Sequence, residues 1–99
     1  MAKILIVEDD PLMSRMYQKI FTFEKYEVEM ASDGQEGLKK ARTGKPTMIL
    51  LDVMMPQMSG YEVCKQIRQH FSLDTLPIIF LTAKKIIATK HKALLSQRI

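Results

Sequence analysis

Four short apolar runs, each followed by a segment of different periodicity, constrain this chain more than any other feature. KILIV (3–7) and MILL (48–51) are nearly continuous in apolar residues, EVEMA (27–31) alternates, and PIIFL (77–81) is apolar throughout. Continuous apolar runs of this length suit strands covered on both faces, as in a parallel sheet. Between them lie segments with helical spacing. Leu12, Met13, Met16, Ile20, Phe21 and Phe23 recur at roughly helical intervals to about residue 24. SDGQEGLKKAR (32–42) and GYEVCKQIRQHF (60–71) are the other two, the latter with Val63, Ile67 and Phe71 on one face.

The punctuation agrees with this order. Asp10 precedes Pro11, and an acid at the cap with proline at the first helical position starts a helix well. Ser32 or Asp33 can cap the second helix, and Ser59 the third. Gly44 ends the second helix and Lys45-Pro46 prevents its continuation. The order β-α-β-α-β-α-β, with helices of ten to fourteen residues between strands, predicts an α/β fold with a doubly wound parallel sheet.

In such a sheet, ligands bind outside the carboxyl ends of the strands. Glu8 and Asp9 end the first strand, Asp52 the third, and Thr82 the fourth. Within MILLDVMMPQMSG (48–60), Asp52 is the sole charged residue, and a carboxylate in apolar surroundings is costly to bury without a partner. Three converging carboxylates raise one another's pKa. A hard divalent cation relieves this, and Mg²⁺ favours oxygen ligands. With Mg²⁺ bound, Asp52 could act as a nucleophile towards phosphorus, and the Thr82 hydroxyl could hold a phosphoryl oxygen.

ILIVEDDP, LLDVMMPQMSGYE and PIIFLTA resemble, in order and spacing, the three motifs of the receiver domain of two-component response regulators, over residues 3 to about 84. The pattern from Asp52 to Gly60 is the most specific of the three. The resemblance implies a flavodoxin-like (βα)₅ phosphoacceptor that takes a phosphoryl group from a histidine kinase or phosphotransfer protein. It implies Asp52 as the phosphorylated residue and Glu8 and Asp9 as the acidic pair for Mg²⁺. Met54 would give its backbone carbonyl to the metal, while Thr82 and the Ala83 amide would contact the phosphoryl group. Ser59 departs from the aspartate usual before this glycine.

Residues 83–99 part from the pattern. The family continues with a fourth helix, a fifth strand, a lysine followed by proline and a fifth helix. Here KKIIATKHKALLSQRI (84–99) reads as one amphipathic helix with Ile87, His91, Leu94 and Leu95 on a face. The chain is thus expected to have four strands plus this helix, without the usual fifth strand and helix. Lys84 or Lys85 is a possible stand-in for the family's lysine. Charge divides at the same place: net −1 over residues 1–82 and +5 over 83–99. We therefore expect a receiver-like core (1–82) and a basic tail (83–99). An apolar fourth strand at a sheet edge predicts a homo-oligomer, with that strand and the tail helix covering one another across subunits.

Other function classes fit less well. A haloacid-dehalogenase-type phosphatase needs a second acid two residues after the first, where Met54 stands. A phosphate-binding glycine loop fails because Gly44-Lys45 runs into Pro46 without an upstream glycine. The tail has no aromatic residue for base stacking and few charges, so nucleic acid is not an expected partner. No apolar run approaches a membrane span and the start has no leader pattern, so a cytoplasmic setting is expected, without a membrane. Cys64, the sole cysteine, rules out an intrachain disulfide and reads as a small packed residue. The reading is a signalling module rather than an enzyme, with self-phosphorylation and slow autodephosphorylation at most. The alternative is a non-phosphorylated pseudo-receiver that acts by association.

Overall fold

A computed structural model of the chain describes residues 2–70 and 76–81. The order is β1 (Lys3–Val7), α1 (Pro11–Phe23), β2 (Glu27–Ala31), α2 (Gly34–Gly44), β3 (Met48–Asp52), α3 (Gly60–His70) and β4 (Ile78–Leu81). All pairings are parallel, in the spatial order β2-β1-β3-β4. Among the described residues this is the parallel sheet that the alternating pattern predicted, with the flavodoxin-like architecture that the resemblance implied. The tail helix, with Thr82, Ala83, Lys84, Lys85 and His91, lies outside the described residues, as does Phe71.

Among the described residues two helices cover one face of the sheet and one helix the other. On the first face Leu5, Val7, Ile49, Leu51, Ile78 and Phe80 pack with Leu38 and Ala41 of α2 and with Val63 and Ile67 of α3. Each valine, leucine, isoleucine or phenylalanine side chain among them contributes about 1.5–3 kcal/mol when removed from water. Gly37 lets α2 approach β1, since a Cβ there would lie 2.9 Å from Val7 Cγ2. Cys64 packs half-buried against this core.

On the second face Ile4, Ile6 and Leu50 are buried beneath Tyr17 and Phe21 of α1. The apolar residues of α1 divide between two sides. Met13, Tyr17 and Phe21 are half-buried, whereas Leu12, Met16, Ile20 and Phe23 are 43–81% exposed. Among the described residues one helix lies over this face, and part of its own apolar surface is exposed.

The caps are local and specific. Asp10 accepts the Leu12 N–H at 3.0 Å, with Pro11 at the start of α1. Asp33 rather than Ser32 caps α2, accepting the Glu36 N–H at 2.8 Å, and Glu36 in return accepts the Ser32 N–H at 2.8 Å. Ser59 Oγ accepts the Glu62 N–H at 3.2 Å. α2 ends at Gly44, yet the left-handed residue is Lys45 (φ 49°). Gly44 stays within the helix, where a Cβ would press on Glu29 Oε1 at 2.6 Å, and Lys3 Nζ donates to the Gly44 carbonyl at 3.0 Å. No helix among the described residues is long and apolar enough to cross a membrane.

Candidate functional site

The site is built by register. Val7 of β1 pairs with Leu51 of β3, so the next residues, Glu8 and Asp52, stand side by side at the carboxyl edge of the sheet. Asp52 in turn pairs with Leu81, which sets the end of β4 level with it. The Glu8 N–H donates to the Ala31 carbonyl at 3.0 Å and the Val53 N–H to the Leu81 carbonyl at 3.1 Å. The ladder therefore holds both acid-bearing strand ends in place.

Carboxylate oxygens of Glu8, Asp9 and Asp52 all lie within 4.8 Å of one another. Glu8 is 3% and Asp52 2% exposed, while Asp9 is half-buried. Glu8 Oε2 accepts the Asp10 N–H at 3.1 Å, and Asp52 Oδ1 accepts the Met54 N–H at 3.1 Å. Met54 itself is 40% exposed at the mouth of the site.

Burial pushes the Glu8 carboxyl up to about 8, against the opposing Asp10 N–H. A hydrogen bond with Asp52 and the charges of Asp52 and Asp9 push it further the same way. This shift favours the protonated form of the Glu8 carboxyl near neutral pH. Three hard oxygen donors, two of them buried, form a donor set suited to a small divalent cation.

Three of the residues singled out from sequence, Glu8, Asp9 and Asp52, come together here. Met54 adjoins them through its amide. Thr82 and Ala83 lie outside the described residues. Tyr17 escaped the sequence reading. Its ring packs over Ile4, Ile6 and Leu50, and its hydroxyl pKa is raised by burial first and then by the charges of Glu8 and Asp52. The i, i+4 series Met13, Tyr17, Phe21, counted from the Asp10 cap, is the signal that would have placed it.

The loop after Asp52 is drawn tightly back onto the strand. Gly60 N–H donates to the Val53 carbonyl at 3.1 Å, and a Cβ on Gly60 would collide with the Asp52 carbonyl oxygen. Met58 N–H donates to the Pro56 carbonyl at 2.7 Å across Gln57 at φ 71°, which makes a γ-turn. A non-glycine residue in this region holds about 1–3 kcal/mol of strain.

The sequence matches the family described as "Response regulator receiver domain" over residues 4–97. It is 49% identical over 82 residues to the alkaline phosphatase synthesis transcriptional regulatory protein PhoP of Bacillus subtilis, covering 83% of this chain and 33% of that protein. It is 45% identical over 84 residues to response regulator ArlR of Staphylococcus saprophyticus, covering 85% of this chain and 37% of that protein. The chain thus spans about a third of the length of these curated relatives. Among solved structures, chemotaxis protein CheY4 of Vibrio cholerae superposes with a TM-score of 0.82 at 36% identity, over 93% of this chain and 77% of that one. The receiver domain of sensor histidine kinase PA1611 from Pseudomonas aeruginosa superposes with a TM-score of 0.82 at 27% identity, over 97% and 78%. That structure has a magnesium ion coordinated in its active-site cleft.

Proposed function

This chain belongs to the response regulator receiver domains of two-component systems, and from that premise we propose that Asp52 is its phosphoacceptor. The phosphoryl donor is a phosphohistidine on a histidine kinase or phosphotransfer protein. The observation that carries the proposal is the convergence of Glu8, Asp9 and Asp52 within 4.8 Å at the carboxyl edge of a parallel sheet.

In the step itself, an Asp52 carboxylate oxygen attacks phosphorus. The P–N bond of the phosphohistidine breaks, and the imidazole nitrogen keeps the electron pair and takes up a proton. The product is an acyl phosphate on Asp52. The Met54 N–H on Oδ1 fixes the plane of the carboxylate, and the β3 ladder fixes its height. Positioning of this kind is most of what a protein contributes to phosphoryl transfer. Glu8, Asp9, Asp52 and the Met54 carbonyl are the groups that would hold Mg²⁺, which when bound supplies positive charge against the carboxylates and the phosphoryl oxygens. The Thr82 hydroxyl and the Ala83 amide, which follow the end of β4, contact the phosphoryl group in this reading. Receiver domains are signalling domains rather than classical enzymes, and the reaction here is one self-modification.

The donor protein has a surface to rest on. α1 starts at Pro11, capped by Asp10 next to the acidic cluster, and its exposed stripe of Leu12, Met16, Ile20 and Phe23 leads away from it. Arg15 and Lys19 lie on the same side, and α1 contains no acid. The stripe suits an amphipathic helix with acidic flanks, brought up against α1 as its phosphohistidine reaches Asp52.

A test uses phosphoramidate, whose P–N bond imitates the donor, with Mg²⁺, followed by hydroxylamine and peptide mapping. Hydroxylamine should convert an acyl phosphate into a hydroxamate at Asp52. A phosphoryl group found on another residue, or one stable to hydroxylamine, contradicts the proposal.

A further inference from the structure

Glu8 differs from Asp9 and Asp52 in the length of its arm. Its carboxylate stands one rotatable bond further from the main chain, and the Asp10 N–H holds one of its two oxygens, Oε2, at 3.1 Å. A ligating carboxylate is oriented by the groups behind it, and a longer arm asks more of them.

The sheet determines which element can supply such a group. Side chains alternate between faces along a strand, and Ile6 of β1 pairs with Leu50 of β3. Two residues further on, Glu8 and Asp52 return to that same face. It is the face that α1 covers, where Tyr17 and Phe21 pack against Ile4, Ile6 and Leu50. Within this cluster Tyr17 alone carries a hydroxyl.

The direction of α1 then matters. The helix begins beside the acids, where the Asp10 N–H meets Glu8. Long side chains on a helix lean towards its N-terminus, which turns the Tyr17 hydroxyl towards the carboxyl edge of the sheet. The charges of Glu8 and Asp52 both reach that hydroxyl and, after burial, raise its pKa. A tyrosine with its ring among apolar side chains and its hydroxyl near two carboxyls is suited to donate to one of them.

We propose that Tyr17 is a positioning residue of the cation site, whose hydroxyl donates to the Glu8 carboxylate, directly or through one water, and keeps it turned towards Asp9 and Asp52. The inference rests on the reading of these three acids as donors to Mg²⁺. It requires no open surface, because the contact lies in the layer between α1 and the sheet. Phe21, one turn further along the same stripe, packs on the same residues without a hydroxyl and has no such role.

The test is calorimetric titration of the full chain with Mg²⁺ at one pH, for the wild type, Tyr17→Phe and Phe21→Leu. Tyr17→Phe keeps the ring and removes the hydroxyl. It should weaken Mg²⁺ binding about tenfold, the lower end of what loss of an outer partner costs, with an unaltered circular dichroism spectrum. In phosphorylation by acetyl phosphate, the Mg²⁺ concentration for half-maximal rate should rise by the same factor. The rate at saturating Mg²⁺ should match the wild type. Phe21→Leu should bind Mg²⁺ as the wild type does. Wild-type affinity in Tyr17→Phe would overturn the proposal and leave the three acids as donors. Equal weakening by Phe21→Leu would also overturn it, since packing and not the hydroxyl would then set the site. A wild-type chain that binds no Mg²⁺ would overturn the donor reading and this inference with it.

Discussion

Gly60, the first residue of α3, lies directly against the main chain of Asp52, and a Cβ at this position would meet the Asp52 carbonyl oxygen and lie 3.0 Å from its carbonyl carbon. The start of a helix and the candidate phosphoacceptor are thereby in backbone contact. Neither side of the contact is a flexible side chain that could move aside.

Gly60→Ala should therefore destabilise the protein by about 1–3 kcal/mol, the usual cost of overpacking. It should also slow phosphorylation of Asp52, because β3 and the loop after it must shift to admit the methyl group. A urea titration and an acetyl phosphate time course on the same preparation check both. Wild-type stability in the variant would contradict the close approach.

The pH dependence of stability has a definite sign. Glu8 titrates near 4.5 in an unfolded chain and is pushed up to about 8 in the folded one, by burial first. The folded state thus holds the proton more tightly. Its contribution to stability is complete below about pH 4.5 and is lost as pH rises towards 8. Without divalent cations the urea midpoint should fall across this window. Mg²⁺ should flatten the fall by taking the place of the proton. Glu8→Gln should remove most of the slope, which separates it from the titration of histidine.

Ile20→Glu tests the donor surface on α1. Ile20 is 47% exposed, so the folded state should keep its stability within about 0.5 kcal/mol. Transfer from a phosphorylated histidine kinase that serves the wild-type chain should fall about tenfold, the loss expected for an interface anchor. Phosphorylation by acetyl phosphate should be unchanged. Equal loss with both donors would place the effect in the site rather than on the surface.

Gln57→Gly should stabilise the loop by about 1 kcal/mol, since glycine occupies φ 71° without strain. Thermal unfolding reads this directly. A loss of stability would show that the Gln57 side chain contributes more than its backbone geometry costs.

Much of the fold is legible in the sequence for definable reasons. Ile4, Leu5, Ile6 and Val7 are all 0% exposed, and a strand buried on both faces has to be apolar without interruption. Asp10 and Asp33 announce helix starts because few side chains can accept the first free N–H groups. The acids of the site are legible because a parallel sheet brings its carboxyl ends to one edge. Properties that depend on neighbours distant in the sequence are not legible. Which half of α1's apolar residues faces the sheet is decided by how much of Ile4, Ile6 and Leu50 one helix can cover. The left-handed residue after α2 is Lys45 and not Gly44, which a glycine rule applied to the sequence alone does not foresee. Like-charge repulsion in the cluster was foreseeable, but burial is the larger cause of the Glu8 shift, and burial is a property of packing.

The central claim is that Asp52 accepts a phosphoryl group in a pocket completed by a divalent cation. Intact mass after incubation with acetyl phosphate and Mg²⁺ tests it most directly, with Asp52→Asn and a chelator as controls. The account predicts one added phosphoryl group on the wild-type chain, absent from Asp52→Asn and absent when Mg²⁺ is removed. No adduct on a folded chain that binds Mg²⁺, or an adduct that Asp52→Asn retains, would contradict it.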